Sequence, residues 1–333
     1  MKFFEKKIGP FKFWWFVATW VALIIAIIVG SCADLSISQA IANPNNFLGK
    51  TCESFGYLFG FSAFSAAGAM IFVGLVRKES KRWQKVLGII IPVVLIALAV
   101  IFAQNDIVGK PGYTWVLPAW AGYLITTTFE LLAFVGYTLL LDRAISAKEF
   151  VLKAVVIIVV IAINLILVNL LLKKMAYRPR YRALAFDNIV NGTQALGLGK
   201  YQNWWDWNFF QKPAWWDTQL TEGNITANWS DYVKSWPSGH TNAASLAMTL
   251  PILLSCSLAK DKKYVYGISY GATLFYALVV AYLRIRIGAH YLSDVAWGLF
   301  LVTIFIPSVY YIVSLIAKKP NLEYGELSLD SPE

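Results

Sequence analysis

Runs of about 20 apolar residues free of charge constrain this chain most, because a bilayer core is about 30 Å thick and a helix rises about 1.5 Å per residue. Runs of this kind lie at 13–33, 54–76, 86–103, 118–141, 154–172, 241–259, 264–283 and 295–317, and only the fourth carries a charged residue, Glu130. Hydrophobic residues make up 58% of the chain and charged residues 14%. A single water-soluble core cannot bury that much apolar surface. Soluble enzymes, nucleic-acid binders and disordered regulators are therefore excluded together. The expected fold is an all-α, polytopic membrane helix bundle of about eight transmembrane helices, with the lipid bilayer as its partner and no nucleic acid. Nothing in the sequence fixes an oligomeric state. No internal repeat is visible, so the inverted-repeat plan of many transporters does not apply.

Orientation follows from lysine and arginine, which favour cytoplasmic loops. With the amino terminus inside, 17 of the 29 basic residues fall on the cytoplasmic side. Of the 12 facing outward, seven stand in two tight clusters beside helix ends: Lys173, Lys174, Arg178, Arg180 and Arg182, then Arg284 and Arg286. Charges placed against the topology bias point to function. The predicted arrangement is a multi-pass protein of the plasma membrane with both termini cytoplasmic. Two helices within 1–85 come first, a core spans 86–317 with an external insert at 182–236, and a cytoplasmic tail covers 318–333.

Seven of the 14 tryptophans lie in the insert: Trp204, Trp205, Trp207, Trp215, Trp216, Trp229 and Trp236. Tryptophan favours the membrane interface, so this loop reads either as a platform on the outer leaflet or as a small excursion with its own aromatic core. Sequons at Asn191, Asn224 and Asn228 are compatible with an exterior loop. The three cysteines, Cys32, Cys52 and Cys256, form no CxxC or Cys/His cluster, so sulfur encodes no metal site. Cys32 and Cys52 bracket a predicted external loop, where a disulfide and two free thiols are both open. Within the membrane, Glu130 is expected to be protonated and hydrogen-bonded inside the bundle, and Asn164 and Asn169 to link helices.

Both histidines of the chain stand among polar motifs on the predicted outer side. Lys173 is followed after six residues by Arg180; Pro237-Ser238-Gly239-His240 precedes the sixth run; Arg284 is followed after five residues by His290 and after three more by Asp294. This order and spacing resembles the three-part signature of the type 2 phosphatidic acid phosphatase superfamily, over about half the chain. The resemblance implies a six-helix phosphatase core and metal-independent hydrolysis of a lipid phosphate or diphosphate through a phosphohistidine, with no cofactor. Two positions depart from the pattern: Tyr181 follows Arg180 where proline is usual, and Leu283 precedes Arg284 where serine is usual. Neither change removes a charged group.

Elementary chemistry gives the same residues the same roles. A phosphoryl group in transfer spreads negative charge over its equatorial oxygens, which Lys173, Arg180 and Arg284 can meet. Ser238 and Gly239 open a helix, where backbone amides favour an anion. His290 and Asp294, four residues apart, are expected on one helical face, the carboxylate holding one ring N–H while the other nitrogen attacks. His240 then protonates the leaving oxygen and activates water. Arg178, Arg182 and Arg286 are open to a second phosphate contact or to lipid-headgroup anchoring. A lipid phosphotransferase, resolving the same intermediate with an alcohol, uses the same groups. An anion or lipid transporter would use the basic clusters and leave the histidines' neighbours unexplained.

Overall fold

The apolar runs fold as helices, and polar residues at their ends decide where each one stops. A computed structural model describes residues 6–107, 117–185, 201–206 and 234–317. Among them, seven helices are long and apolar enough to cross a membrane, which makes this an integral membrane protein. A hairpin of β1 (Lys7–Ile8) and β2 (Phe11–Lys12) leads into α1 (Phe13–Ile41). Next come α2 (Phe47–Phe55), α3 (Leu58–Leu75), α4 (Arg82–Ile107), α5 (Ala119–Leu140) and α6 (Ala147–Ile163). The last of these runs on through a π-helical stretch, Asn164–Leu172, and a final turn, Lys173–Met175. A short α7 (Tyr181–Ala185) precedes α8 (Gly239–Ser245), a 3₁₀ segment Leu246–Thr249 and α9 (Leu250–Leu254); α10 (Tyr264–Arg286) and α11 (Leu292–Ile316) follow.

α1 overruns its predicted end because its buried face stays continuous past the apolar run. Phe16, Thr19, Leu23, Ile27, Gly30, Asp34 and Ser38 recur every three or four residues, forming one seam that packs along α11. Cys32 therefore lies within a helix rather than at a loop end, and both it and Cys52 are free thiols. α3 is rich in Gly, Ala and Ser, and 15 of its 18 residues are buried. Small side chains let neighbouring helices approach closely in a bilayer, and α3 sits between α4, α5 and α6 as the central helix.

The sixth run departs from expectation. Instead of one spanning helix it folds as three short segments covering 239–254, and Pro251, which has no N–H to donate, stands at the start of the last. Sixteen residues, twelve α-helical and four 3₁₀, cover about 26 Å at most, short of the hydrocarbon core. The segment is buried nearly throughout, against α3, α10 and α11, so it never has to face lipid. Its polar link to α6 is Asn242 Nδ2 donating to Asn164 Oδ1 at 2.9 Å, as expected of Asn164. Glu130 also meets expectation as a hydrogen-bonded group inside the bundle, accepting from Ser65 Oγ at 2.6 Å.

At one end of the bundle the turns around Arg77, Asp142 and Lys260 meet: Lys260 pairs with Asp142, and Arg77 Nη2 donates to the Ile145 carbonyl at 2.5 Å. The motif residues gather at the other end. Of the tryptophan-rich insert, Trp204 donates from Nε1 to Ser31 Oγ at 2.8 Å, and both Trp204 and Trp236 pack against Trp297 of α11. That contact is an aromatic core shared with the bundle, while Trp205 is 51% exposed. Trp207, Trp215, Trp216 and Trp229 lie outside the described residues, as do the three sequons.

Candidate active site

Arg284 and His290 owe their relation to the turn that joins α10 to α11. Gly288 takes φ +68°, a conformation that a side chain would strain, and its N–H donates to the Ile285 carbonyl at 2.8 Å, closing the helix. The Ala289 and His290 amides both donate to the Arg284 carbonyl, at 3.1 and 3.3 Å, so the chain folds back and the two side chains come within electrostatic reach of each other. α11 begins only at Leu292, with Asp294 capping it by accepting from Tyr291 N at 2.9 Å. His290 therefore precedes the helix, and the pair does not lie on one helical face. His290 Nδ1 is 3.8 Å from Asp294 Oδ2, an ion-pair distance too long for a hydrogen bond. The aspartate's other partners are Ser235 Oγ and Arg178 Nη1.

His290 and Arg284 are both fully buried, and among the described residues neither ring nitrogen of the one nor any guanidinium nitrogen of the other makes a hydrogen bond. Burial, reinforced by the fields of Arg180, Arg284 and Lys173, holds the His290 imidazole well below the ordinary histidine value. That environment favours the neutral ring, the form a nucleophile needs.

Ser238 caps α8 by accepting from Thr241 N at 3.3 Å, while its own amide donates to the Asp294 carbonyl at 3.0 Å, tying this turn to α11. Gly239 admits a close approach: a Cβ there would stand 2.8 Å from Lys173 Nζ and 3.0 Å from Asn169 Oδ1. The lysine at the end of α6 thus reaches the start of α8. His240 Nε2 donates to the Glu53 carbonyl at 2.9 Å, which fixes the proton on that nitrogen, and the ring lies edge-to-face on Tyr57 at 5.2 Å. Lys173 and Arg284 lie within electrostatic reach of both imidazoles. All eight predicted site residues, Lys173, Arg180, Ser238, Gly239, His240, Arg284, His290 and Asp294, come together at this end of the bundle.

Two of the neighbouring arginines serve other ends. Arg178, fully buried, donates to Gln202 O at 2.9 Å, Ser293 Oγ at 2.9 Å, Tyr201 OH at 3.1 Å, Asp34 Oδ2 at 2.9 Å and Asp294 Oδ1. Every N–H direction of that side chain is used by protein, so it clamps α1 and α11 together. Arg182 donates to both carboxylate oxygens of Glu53, at 3.1 and 2.9 Å, and Arg286 donates to the Ile41 carbonyl. Arg178 and Arg182 are spent on carboxylates of the early helices, while Arg286, half-buried, leaves both expected roles open.

Asp34 and Glu53 are the functional-site residues that the motifs do not announce. Each is an acid at the end of an apolar run, the one visible sign that it needs a buried cation. Tyr181, where the pattern has proline, packs its ring edge-to-face on Tyr291, and Leu283, where it has serine, packs beside Val280.

The spanning helices thus bring two histidines, three cations and a helix-capping aspartate together at one end of the bundle. The model of one family, the PAP2 superfamily, matches residues 153–317, and over that segment the chain belongs to that superfamily, whose members are phosphatases. Comparisons with curated proteins and with solved structures return no match.

Proposed function

We propose that the chain removes a terminal phosphoryl group from a membrane lipid at the outer face of the plasma membrane, through a phosphohistidine formed on His290. One observation carries this reading: two fully buried side chains, Arg284 and His290, keep their nitrogens clear of hydrogen bonds beside Lys173 and Arg180. Arg284 is met by an ion pair with Glu53 Oε1 at 3.0 Å and by no hydrogen bond among the described residues; buried donors left so incompletely satisfied cost stability, and a phosphoryl group between Arg284 and His290 repays that cost.

The His290 nitrogen remote from Asp294, Nε2, attacks phosphorus. An N–P bond forms, the ester P–O bond breaks, and His240, entering as the imidazolium with its second proton on Nδ1, gives that proton to the departing oxygen and becomes neutral. Lys173, Arg180 and Arg284 meet the charge on the three equatorial oxygens. Water then attacks phosphorus, its proton passes to His240, and the N–P bond breaks to release inorganic phosphate and neutral His290. Asp294 caps α11 and faces Nδ1, favouring the tautomer that leaves Nε2 free to attack.

The outward orientation rests on the 17 basic residues assigned inside. In intact cells, a cysteine at Lys200 should react with an impermeant maleimide, and one at Ser80 only after lysis; the opposite pattern would put the chemistry inside. The activity is tested by incubating purified protein with long-chain lipid phosphates in EDTA. Wild type should release inorganic phosphate, and no release from any lipid phosphate would refute the reading.

A further inference from the structure

The apolar span Phe47–Leu75 is broken: α2 stops at Phe55 and α3 starts at Leu58, and the break faces His240. The last carbonyls of a helix lack partners within it. Glu53, in the last turn of α2, offers its carbonyl to His240 Nε2 at 2.9 Å. Tyr57, the residue before α3, closes on the imidazole from another side. Its ring stands edge-to-face on that of His240, with centroids 5.2 Å apart and planes at 76°, and edge-to-face on Phe61 at 5.5 Å. Its OH donates to the Ala103 carbonyl of α4 at 2.7 Å, so this buried ring is fixed at both ends. Three residues on from each ring, α3 and α8 touch backbone to backbone, since a Cβ on Gly60 would stand 1.9 Å from the Ala243 carbonyl oxygen. That close approach sets the register that brings Tyr57 to His240.

We propose that Tyr57 is a positioning residue, holding His240 against the end of α2 so that Nδ1 presents its proton to the departing oxygen. The inference rests on the phosphatase reading above, and Glu53, Tyr57 and Gly60 all lie outside the segment shared with the superfamily. A histidine side chain can turn about two bonds, whereas proton transfer needs its nitrogen within about 3 Å of the reacting oxygen. With Nε2 donating to the Glu53 carbonyl, proton exchange with the substrate falls to Nδ1. Burial and the Arg284 charge work against a protonated ring here, while the Glu53 carboxylate and carbonyl work for it. The negative end of α2 adds to that support. A ring that swings off the Glu53 carbonyl loses both its aim and the groups that favour its proton.

The test uses two phosphomonoesters that carry the same long chain, an alkyl phosphate and a nitrophenyl phosphate, with purified full-length protein in one detergent. The parameter is kcat/KM, which reports the step that expels the alcohol or phenol. Tyr57→Leu should lower it about tenfold or more for the alkyl phosphate and no more than about threefold for the nitrophenyl phosphate, whose leaving oxygen needs little help from an acid. Tyr57→Phe, which keeps the ring and loses the tether to Ala103, should retain most of the alkyl activity and lower the alkyl-to-nitrophenyl ratio by about twofold. Equal losses on the two substrates would make Tyr57 a packing residue and overturn the inference, as would unchanged activity in Tyr57→Leu. If Tyr57→Leu does not fold, Tyr57→Phe decides: a lowered ratio supports the positioning role, and an unchanged ratio overturns it. Wild type that turns over neither compound removes the phosphatase reading and this inference with it.

Discussion

The two ends of the bundle treat charge in opposite ways. Where the turns around Arg77, Asp142 and Lys260 meet, the Lys260–Asp142 pair keeps 25% and 17% of its side chains exposed. At the other end Arg178, Asp34, Arg284, His290 and Asp294 are essentially buried. Exposed pairs contribute little to stability and suffice to orient a helix across a bilayer. Buried ions lose several kcal/mol of hydration each and persist only with partners or a task. The partners of Arg178 and Arg182 include carboxylates from α1 and α2, outside the segment shared with the superfamily. Among the described residues, Arg284 has an ion pair with Glu53 on one side and no hydrogen bond, and His290 has none either. The early helices thus neutralise the cations that frame the site and leave the chemistry to the rest.

The contrast is broken most severely by removing the nucleophile. His290→Ala should lower kcat by on the order of 10⁴-fold or more while the protein stays folded, since the site's other imidazole, His240, is committed to the departing oxygen rather than to attack on phosphorus. Arg77→Ala, at the opposite end, should leave kcat within about twofold. Comparable losses from the two variants would erase the distinction between the ends.

Next in size is stability. Asp34→Ala leaves Arg178 buried with one carboxylate in place of two, and should destabilise the protein by about 3–5 kcal/mol in denaturant titrations. Asp142→Ala should leave the midpoint unchanged within measurement error. A mild Asp34 variant would mean that water or rearrangement satisfies Arg178 and that the clamp is not a clamp.

A smaller effect is expected in pH dependence. A neutral His290 is the attacking form, and its pKa is depressed by burial and by Arg180, Arg284 and Lys173. As pH falls, the nucleophile stays unprotonated until well below the ordinary value of 6.5. The acid limb of kcat/KM should therefore fall below 6.5 and move upward towards it in Arg180→Gln. An acid limb in wild type at or above 6.5 would contradict the environment described for this ring.

The smallest effect separates two tryptophans of the insert. Trp204→Ala loses the bond to Ser31 and the packing on Trp297 and should lower stability, whereas exposed Trp205→Ala should raise KM for a long-chain lipid phosphate about threefold and spare a soluble short-chain analogue. Equal effects on long and short substrates would assign Trp205 to the core as well.

What the sequence makes legible depends on how local each cause is. Seven of the spans follow from apolar runs alone, and the spacing of Lys173, Arg180, His240, Arg284, His290 and Asp294 is visible because each motif is compact. The end of α1 is not visible, because Asp34 and Ser38 continue its buried seam only when Arg178 and α11 are present to receive them. The broken sixth segment reads as a span because apolar composition cannot distinguish burial in protein from exposure to lipid. The pairing of Asp34 with Arg178 and of Glu53 with Arg182 joins residues more than a hundred positions apart, and local pattern carries no record of it.

The central claim, a phosphohistidine on His290 framed by three cations, is tested most directly by trapping the intermediate. Wild-type protein mixed with a ³²P-labelled lipid phosphate and quenched in alkaline denaturant, where phosphohistidine survives, should carry label on the peptide containing His290. His290→Ala should carry none, and His240→Ala should gain label only slowly from a lipid phosphate, because the departing oxygen has lost its acid. Label on a peptide other than that of His290, or turnover by His290→Ala at the wild-type rate, would contradict the account.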